Sequence, residues 1–134
     1  MMWDRVIARV KAICEADPVL LSVYGADRMR YAGVSEWAVP SLEWRLIADA
    51  EGELWAPCVI QFDQWVPDSA LLIQSERRLR ALFHVELPVD LAGLTCWSQF
   101  TDAEFLSSPD RSGYIGRAVR FEITPLRDRY APAP

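Results

Sequence analysis

Asparagine is absent from this 134-residue chain, histidine and lysine occur once each (His84 and Lys11), and the other thirteen cations are arginines. Asparagine and lysine share A-rich codons, so a GC-rich genome, or a source that shuns thermolabile amides, accounts for their scarcity without reference to function. The shortage of histidine does bear on function. A Ser-His-Asp triad would have to use His84, and no G-x-S-x-G elbow accompanies it. A Ser-Lys dyad would depend on Lys11, on the polar side of the first amphipathic segment. No G-x-x-x-x-G-K or G-x-G-x-x-G loop occurs, and Gly113 and Gly116 around Tyr114-Ile115 read as a loop-to-strand hinge.

Cys14, Cys58 and Cys96 lie in no C-x-x-C spacing, cannot all pair, and with a single histidine cannot build a tetrahedral zinc site. They read as free core thiols of a reducing compartment. No apolar run reaches the roughly 18 residues that span a bilayer. Residues 1–16 scatter Asp4, Arg5, Arg9, Lys11 and Glu15 among apolar positions, which is not a signal peptide. A net charge of −5 gives little support to nucleic-acid binding, which needs a basic footprint. The acid pair Asp63 and Asp68 reads as an outward strand residue and a helix cap rather than a catalytic pair. The expectation is a cytosolically made protein that is not an enzyme and uses no cofactor, metal or membrane.

With 51% hydrophobic and 25% charged residues, the chain has the composition of a folded domain. Trp3, Val6, Ile7, Val10, Ile13 and Cys14 recur at helical spacing over residues 1–16. Asp17-Pro18 stops that helix and caps a short one through Tyr24, which Gly25 ends. A short strand fits residues 27–31, with an irregular loop to Pro40. Residues 41–48 alternate, with Leu42, Trp44, Leu46 and Ala48 on one face. A polar turn at 49–53 leads into a strand over 54–65 that turns Ile60 and Phe62 inward and Gln61 and Asp63 outward. Pro57 belongs near its start or on an edge.

Asp68 caps a second long helix over 69–86, with Leu72, Ile73, Leu79, Leu82 and Phe83 on its buried side and Glu76, Arg77, Arg78 and Arg80 on its wet side. Pro88 and Gly93 bracket a turn, and residues 94–100 suit a strand. Residues 101–113 are polar and turn-rich and read as a long surface loop or arm. The last strand, 114–124, turns Val119, Phe121 and Ile123 inward. The expected fold class is α+β: a mostly antiparallel sheet, two main helices packed on one face, and a long loop or arm. Residues 1–130 form one domain in this reading, and 131–134 a flexible tail.

Several segments together carry a family resemblance: Ala16-Asp17-Pro18-Val19-Leu20, Val39-Pro40, Val59-Ile60-Gln61-Phe62-Asp63-Gln64-Trp65, Arg78-Leu79-Arg80-Ala81-Leu82 and Arg117-Ala118-Val119-Arg120-Phe121-Glu122-Ile123. In that rhythm the chain resembles the tail-terminator (tail-completion) family of long-tailed bacteriophages and gene-transfer particles. The resemblance implies a hexameric ring that caps the tail tube and halts its growth. Its partners would be further copies of itself, the tail-tube protein and head or neck connector proteins, in a virion assembled in the host cytoplasm. DNA would pass through such a ring without specific binding, and the acidic balance is compatible with that. The expected contact residues are Trp65, Arg77 and Arg80 on the helix, and Asp102, Glu104, Phe105, Asp110 and Arg111 in the 101–113 segment. Another head-tail connector or head-completion subunit, and a small ligand-binding or enzymatic α+β domain, are the competing readings.

Overall fold

The computed structural model describes residues 2–32, 40–48, 58–89 and 95–126. Helix α1 (Met2–Ala16) buries Val6, Val10 and Cys14. Asp17 then ends one helix and begins the next: its carboxylate accepts the Leu20 N–H at 3.0 Å and opens α2 (Pro18–Tyr24). Gly25, at φ 82°, closes α2 in a backbone region that favours glycine. A 3-10 turn (Ala26–Arg28) leads into β1 (Met29–Tyr31), followed by β2 (Ser41–Ala48) and β3 (Cys58–Val66). Asp68 caps α3 (Ser69–Phe83), accepting the Leu71 N–H at 2.9 Å. After α3 come β4 (Val85–Pro88), β5 (Thr95–Leu106), a second 3-10 turn (Pro109–Arg111) and β6 (Ile115–Pro125).

Among the described residues these strands form one sheet in the order β1-β2-β3-β6-β5-β4. Every pairing is antiparallel except β1 with β2. The α+β class expected from the sequence is the one observed. Strand alternation splits the sheet into a covered and an open face. The covered face carries Leu42, Trp44, Ile60, Phe62, Val119, Phe121 and Ile123, all buried, and α3 lays Leu72, Leu79 and Phe83 against it. Phe62 stands at the centre, its ring centroid 5.0 Å from Phe83, 5.7 Å from Phe121 and 6.2 Å from Trp44. Such tilted and edge-on pairs add to the gain from burial itself.

Three expectations need correction. Residues 101–106 are not loop: β5 continues to Leu106, and only the short turn around Pro109–Arg111 separates it from β6. A bulge between Phe100 and Asp102 moves one residue out of register. It hides the alternation by turning Asp102 and Glu104 to the open face and Ala103 and Phe105 to the covered one. Helix α3 ends at Phe83, with His84 as its C-cap, and residues 85–88 turn into strand, pairing Val85 with Ser98 and Leu87 with Cys96. Ile73 is 53% exposed, because the polar Ser75 occupies the buried stripe between Leu72 and Leu79. Gln61 keeps the outward face expected of it, yet it is not exposed there, being buried beneath the Arg120 side chain that donates to it. The readings for residues 33–39, 49–57, 90–94 and 127–134, including the start of the 54–65 strand, fall outside the described residues.

Two measurements check this core. Phe62→Ala or Phe121→Ala should each cost about 3–5 kcal/mol in urea unfolding, because each empties the aromatic cluster. Burial also pushes the Cys96 thiol up from 9.0 to about 11, and the buried Cys14 thiol and Tyr24 hydroxyl higher still. Above pH 9 the unfolded chain releases thiol protons that the folded chain retains, so stability falls as pH rises from 9 to 11. Melting temperature should decline progressively over that window, and Cys96→Ala should flatten the slope.

Candidate functional site

The polar chemistry of the chain collects in two places, one on each face of the β5–β6 hairpin. On the covered face, Glu76 of α3 projects towards the sheet beside Arg117 and Gln64. Its carboxylate accepts from Arg117 Nε at 2.6 Å, from Arg80 at 2.9 Å and from Gln64 Nε2 at 3.2 Å, with the side chain only 15% exposed. Gln64 is buried in turn, and its carbonyl accepts from the Ser75 hydroxyl at 2.7 Å. That hydroxyl shares a 2.6 Å hydrogen bond with Tyr24 of α2. A polar chain therefore runs from Tyr24 of α2 through Ser75, Gln64 and Glu76 to Arg117 of β6, each member hydrogen-bonded to the next.

The two arginines that Glu76 holds are also stacked. Arg80 lies 3.8 Å above the Phe100 ring and Arg117 4.6 Å above Phe105. Phe105 is itself 70% exposed and borders a groove of about 410 Å³ with Ile73, Arg77, Arg80 and Arg117. Arg77, Arg80 and Phe105, proposed separately from the sequence, thus meet at one surface. Ile73, Glu76 and Arg117 complete it and were not foreseen. The legible signal for Ile73 was the helical angle: it lies one residue off the buried stripe, on the side of Arg77 and Arg80. His84 follows on the same side, and its Nδ1 accepts the Phe100 N–H at 3.2 Å, a structural role.

The open face carries ion pairs. Arg120 of β6 lies between Asp102 and Glu104 of β5, bonding Asp102 at 3.2 Å and Glu104 as well, and it donates to Gln61 of β3 at 2.9 Å. The hydrogen bond to Glu104 holds the Arg120 guanidinium above its ordinary pKa. Partial burial opposes that rise, and the charge of Asp102 adds to it. Asp63 accepts from Gln61 at 2.6 Å and pairs with Arg45 at 3.4 Å. At the far end, Arg111 reaches from the turn to Glu43 at 3.2 Å and stacks 4.6 Å from the Trp65 ring. Trp65 is buried, with its six-membered ring lying over Gly116, where a Cβ would overlap it. Trp65 thus acts on the surface through the Arg111 that covers it, and Asp110 sits beside Arg111 on the same turn, exposed.

This layering makes a specific prediction. Gly116→Ala should cost about 1–3 kcal/mol by forcing Trp65 out from beneath Arg111. The same change in a Trp65→Val background should cost much less, a coupling that a thermal-unfolding double-mutant cycle would read directly.

No group of histidine, cysteine, aspartate or glutamate among the described residues could hold a metal ion. No helix among them is long and apolar enough to cross a membrane. No protein-family model matches the chain, and no curated protein does. Among solved structures, a chain of the virion of a native gene transfer agent particle matches with a TM-score of 0.65. The match covers 90% of this chain and 93% of that one at 15% identity, and it shows that the two share a fold.

Proposed function

We propose that the chain is a structural subunit of a phage-like or gene-transfer particle, the terminator ring that caps the tail tube and joins it to the neck. One observation carries the reading: the likeness to a virion chain extends over nine-tenths of both molecules, so it concerns a whole architecture rather than a shared motif. The segments that resemble the tail-terminator family support the finer role. The work of such a subunit is geometric. A head-to-tail contact repeated around a closed ring uses up each copy's two complementary surfaces and leaves only the two ring faces for other partners.

In this reading the contact residues divide by location. Arg77, Arg80 and Phe105 face neighbouring copies, while Asp110 and Arg111 on the β5–β6 turn face the tail-tube protein or a neck connector. Asp102 and Glu104 are 61% and 56% exposed around a more sheltered Arg120. They present negative charge outward, which disfavours phosphate contact where DNA passes.

Native mass measurement of the purified chain should give a ring, six copies in the family the chain resembles, and a larger complex with the tail-tube protein. Removing the subunit from an assembling particle should yield tails of uncontrolled length by electron microscopy. A chain that stays monomeric at all concentrations, alone and with tail-tube protein, would defeat the reading. Asp110→Arg should leave ring mass unchanged and reduce tube capping several-fold, since it alters the turn and leaves the sheet alone.

A further inference from the structure

We infer that neighbouring copies lock together through a knob and a hole: Phe105 of one copy enters the cleft between α1 and β1 of the next. The inference rests on the ring reading and names the contact that would build it.

The knob combines three features. Phe105 is the most exposed of the large hydrophobic residues described, yet it is held in place by the Arg117 guanidinium, itself fixed by Glu76. Arg77 stands beside it, exposed. β4 pairs only with Thr95 to Ser98 of β5, so among the described residues the outer edge of β5 from Thr101 to Leu106 has no partner strand. Unpaired edges of this kind are normally protected or used.

The hole lies at the other end of the sheet order. Between α1 and β1 is a cleft of about 600 Å³, with Ile7, Met29 and Trp44 as apolar walls and the carboxylates of Glu15 and Asp27 at its margin. That volume exceeds what a phenyl ring needs. Trp44 is 1% exposed, and its indole Nε1 is buried with no hydrogen-bond partner. The indole therefore closes the floor of the cleft, and an incoming ring would lie over it against the other apolar walls.

Charge and direction agree. The groove beside Phe105 holds Arg77, Arg80 and Arg117 against one glutamate, whereas the cleft has Asp4, Glu15 and Asp27 against Lys11 and Arg30. A cationic apolar knob therefore meets an acidic apolar hole. Because β1 and β5 lie towards opposite ends of the sheet, one molecule cannot satisfy both surfaces with itself. A second copy at each end can, and the contact is heterologous, as ring closure requires.

The test uses two surface variants. Phe105→Asp spoils the knob and leaves the hole, and Ala8→Trp fills the hole from an exposed position on α1 and leaves the knob. Each alone should retain wild-type melting and weaken self-association at least about thirtyfold, as loss of a central aromatic anchor does. Mixed in equal amounts, they should form pairs and stop there, since only one intact knob faces one intact hole. Light scattering on a sizing column reads all three states. Rings from either variant alone, or single variants that fail to pair on mixing, would overturn this contact while leaving the ring reading standing. A wild-type chain that never associates would overturn both. Should Phe105→Asp unfold, Arg77→Glu, which changes only an exposed charge, replaces it.

Discussion

The carboxylate of Glu76 is the interaction on which the arrangement of this molecule most depends. It sits where α3 crosses β3 and β6, and it gathers donors from each: Arg80 from its own helix, Gln64 from β3 and Arg117 from β6. Two guanidinium groups brought this close would repel one another without it, and removing one member of a sheltered charge cluster is costlier than the cluster is stabilising. The aromatic cluster around Phe62 supplies the burial, but it is non-directional. Glu76 fixes the rotation of α3, and with it the position of both arginines over their phenyl rings. The exposed Phe105 owes its fixed orientation to that chain of contacts.

Much of this fold was legible in the sequence because local signals agreed with the tertiary outcome. Asp17-Pro18 and Asp68 cap helices as their types demand, and Leu42, Trp44 and Leu46 share the covered face with Ile60 and Phe62 as their alternation implies, up to the register shift after Leu46. The failures share a cause, a position where long-range packing set the pattern. The β5 bulge shifted Asp102 and Glu104 by one residue, so that no single alternation ran through the strand, and a polar surface strand looked like a loop. Ser75 broke the apolar stripe of α3 because its partner is Tyr24, fifty-one residues away in sequence. His84 ended the helix earlier than the residue pattern suggested, since Val85 and Leu87 serve the sheet better than another helical turn.

The candidate site was partly legible for the same reason. Arg77, Arg80 and Phe105 could be named because exposed arginines and a stranded phenylalanine are conspicuous in any sequence. Their convergence could not, because it needs β5 to be a strand and α3 to be rotated by Glu76. Trp65 illustrates the opposite case. It was expected among the contact residues, but the absence of a side chain at Gly116 lets the indole lie down on β6 beneath Arg111. The glycine, read in the sequence only as part of a hinge, decides what the tryptophan does.

The two faces of the hairpin also explain how one short segment can serve two kinds of contact. Past the bulge, successive β5 residues point to opposite sides, so Asp102 and Glu104 face the open surface while Phe105 faces the groove. The first pair is half neutralised within its own chain by Arg120, which leaves a hydrated, net-negative exterior that adheres weakly to other surfaces. Phe105 has an arginine on one side and solvent on the other, an arrangement that gains free energy only when something apolar covers it. A strand that is inert on one face and adhesive on the other can sit at the edge of a sheet without inviting indiscriminate strand addition. In the proposed contact it meets a single partner whose cleft is apolar within and acidic at the margin. The bulge at Phe100 and Asp102, one extra residue in β5, is what separates those two properties.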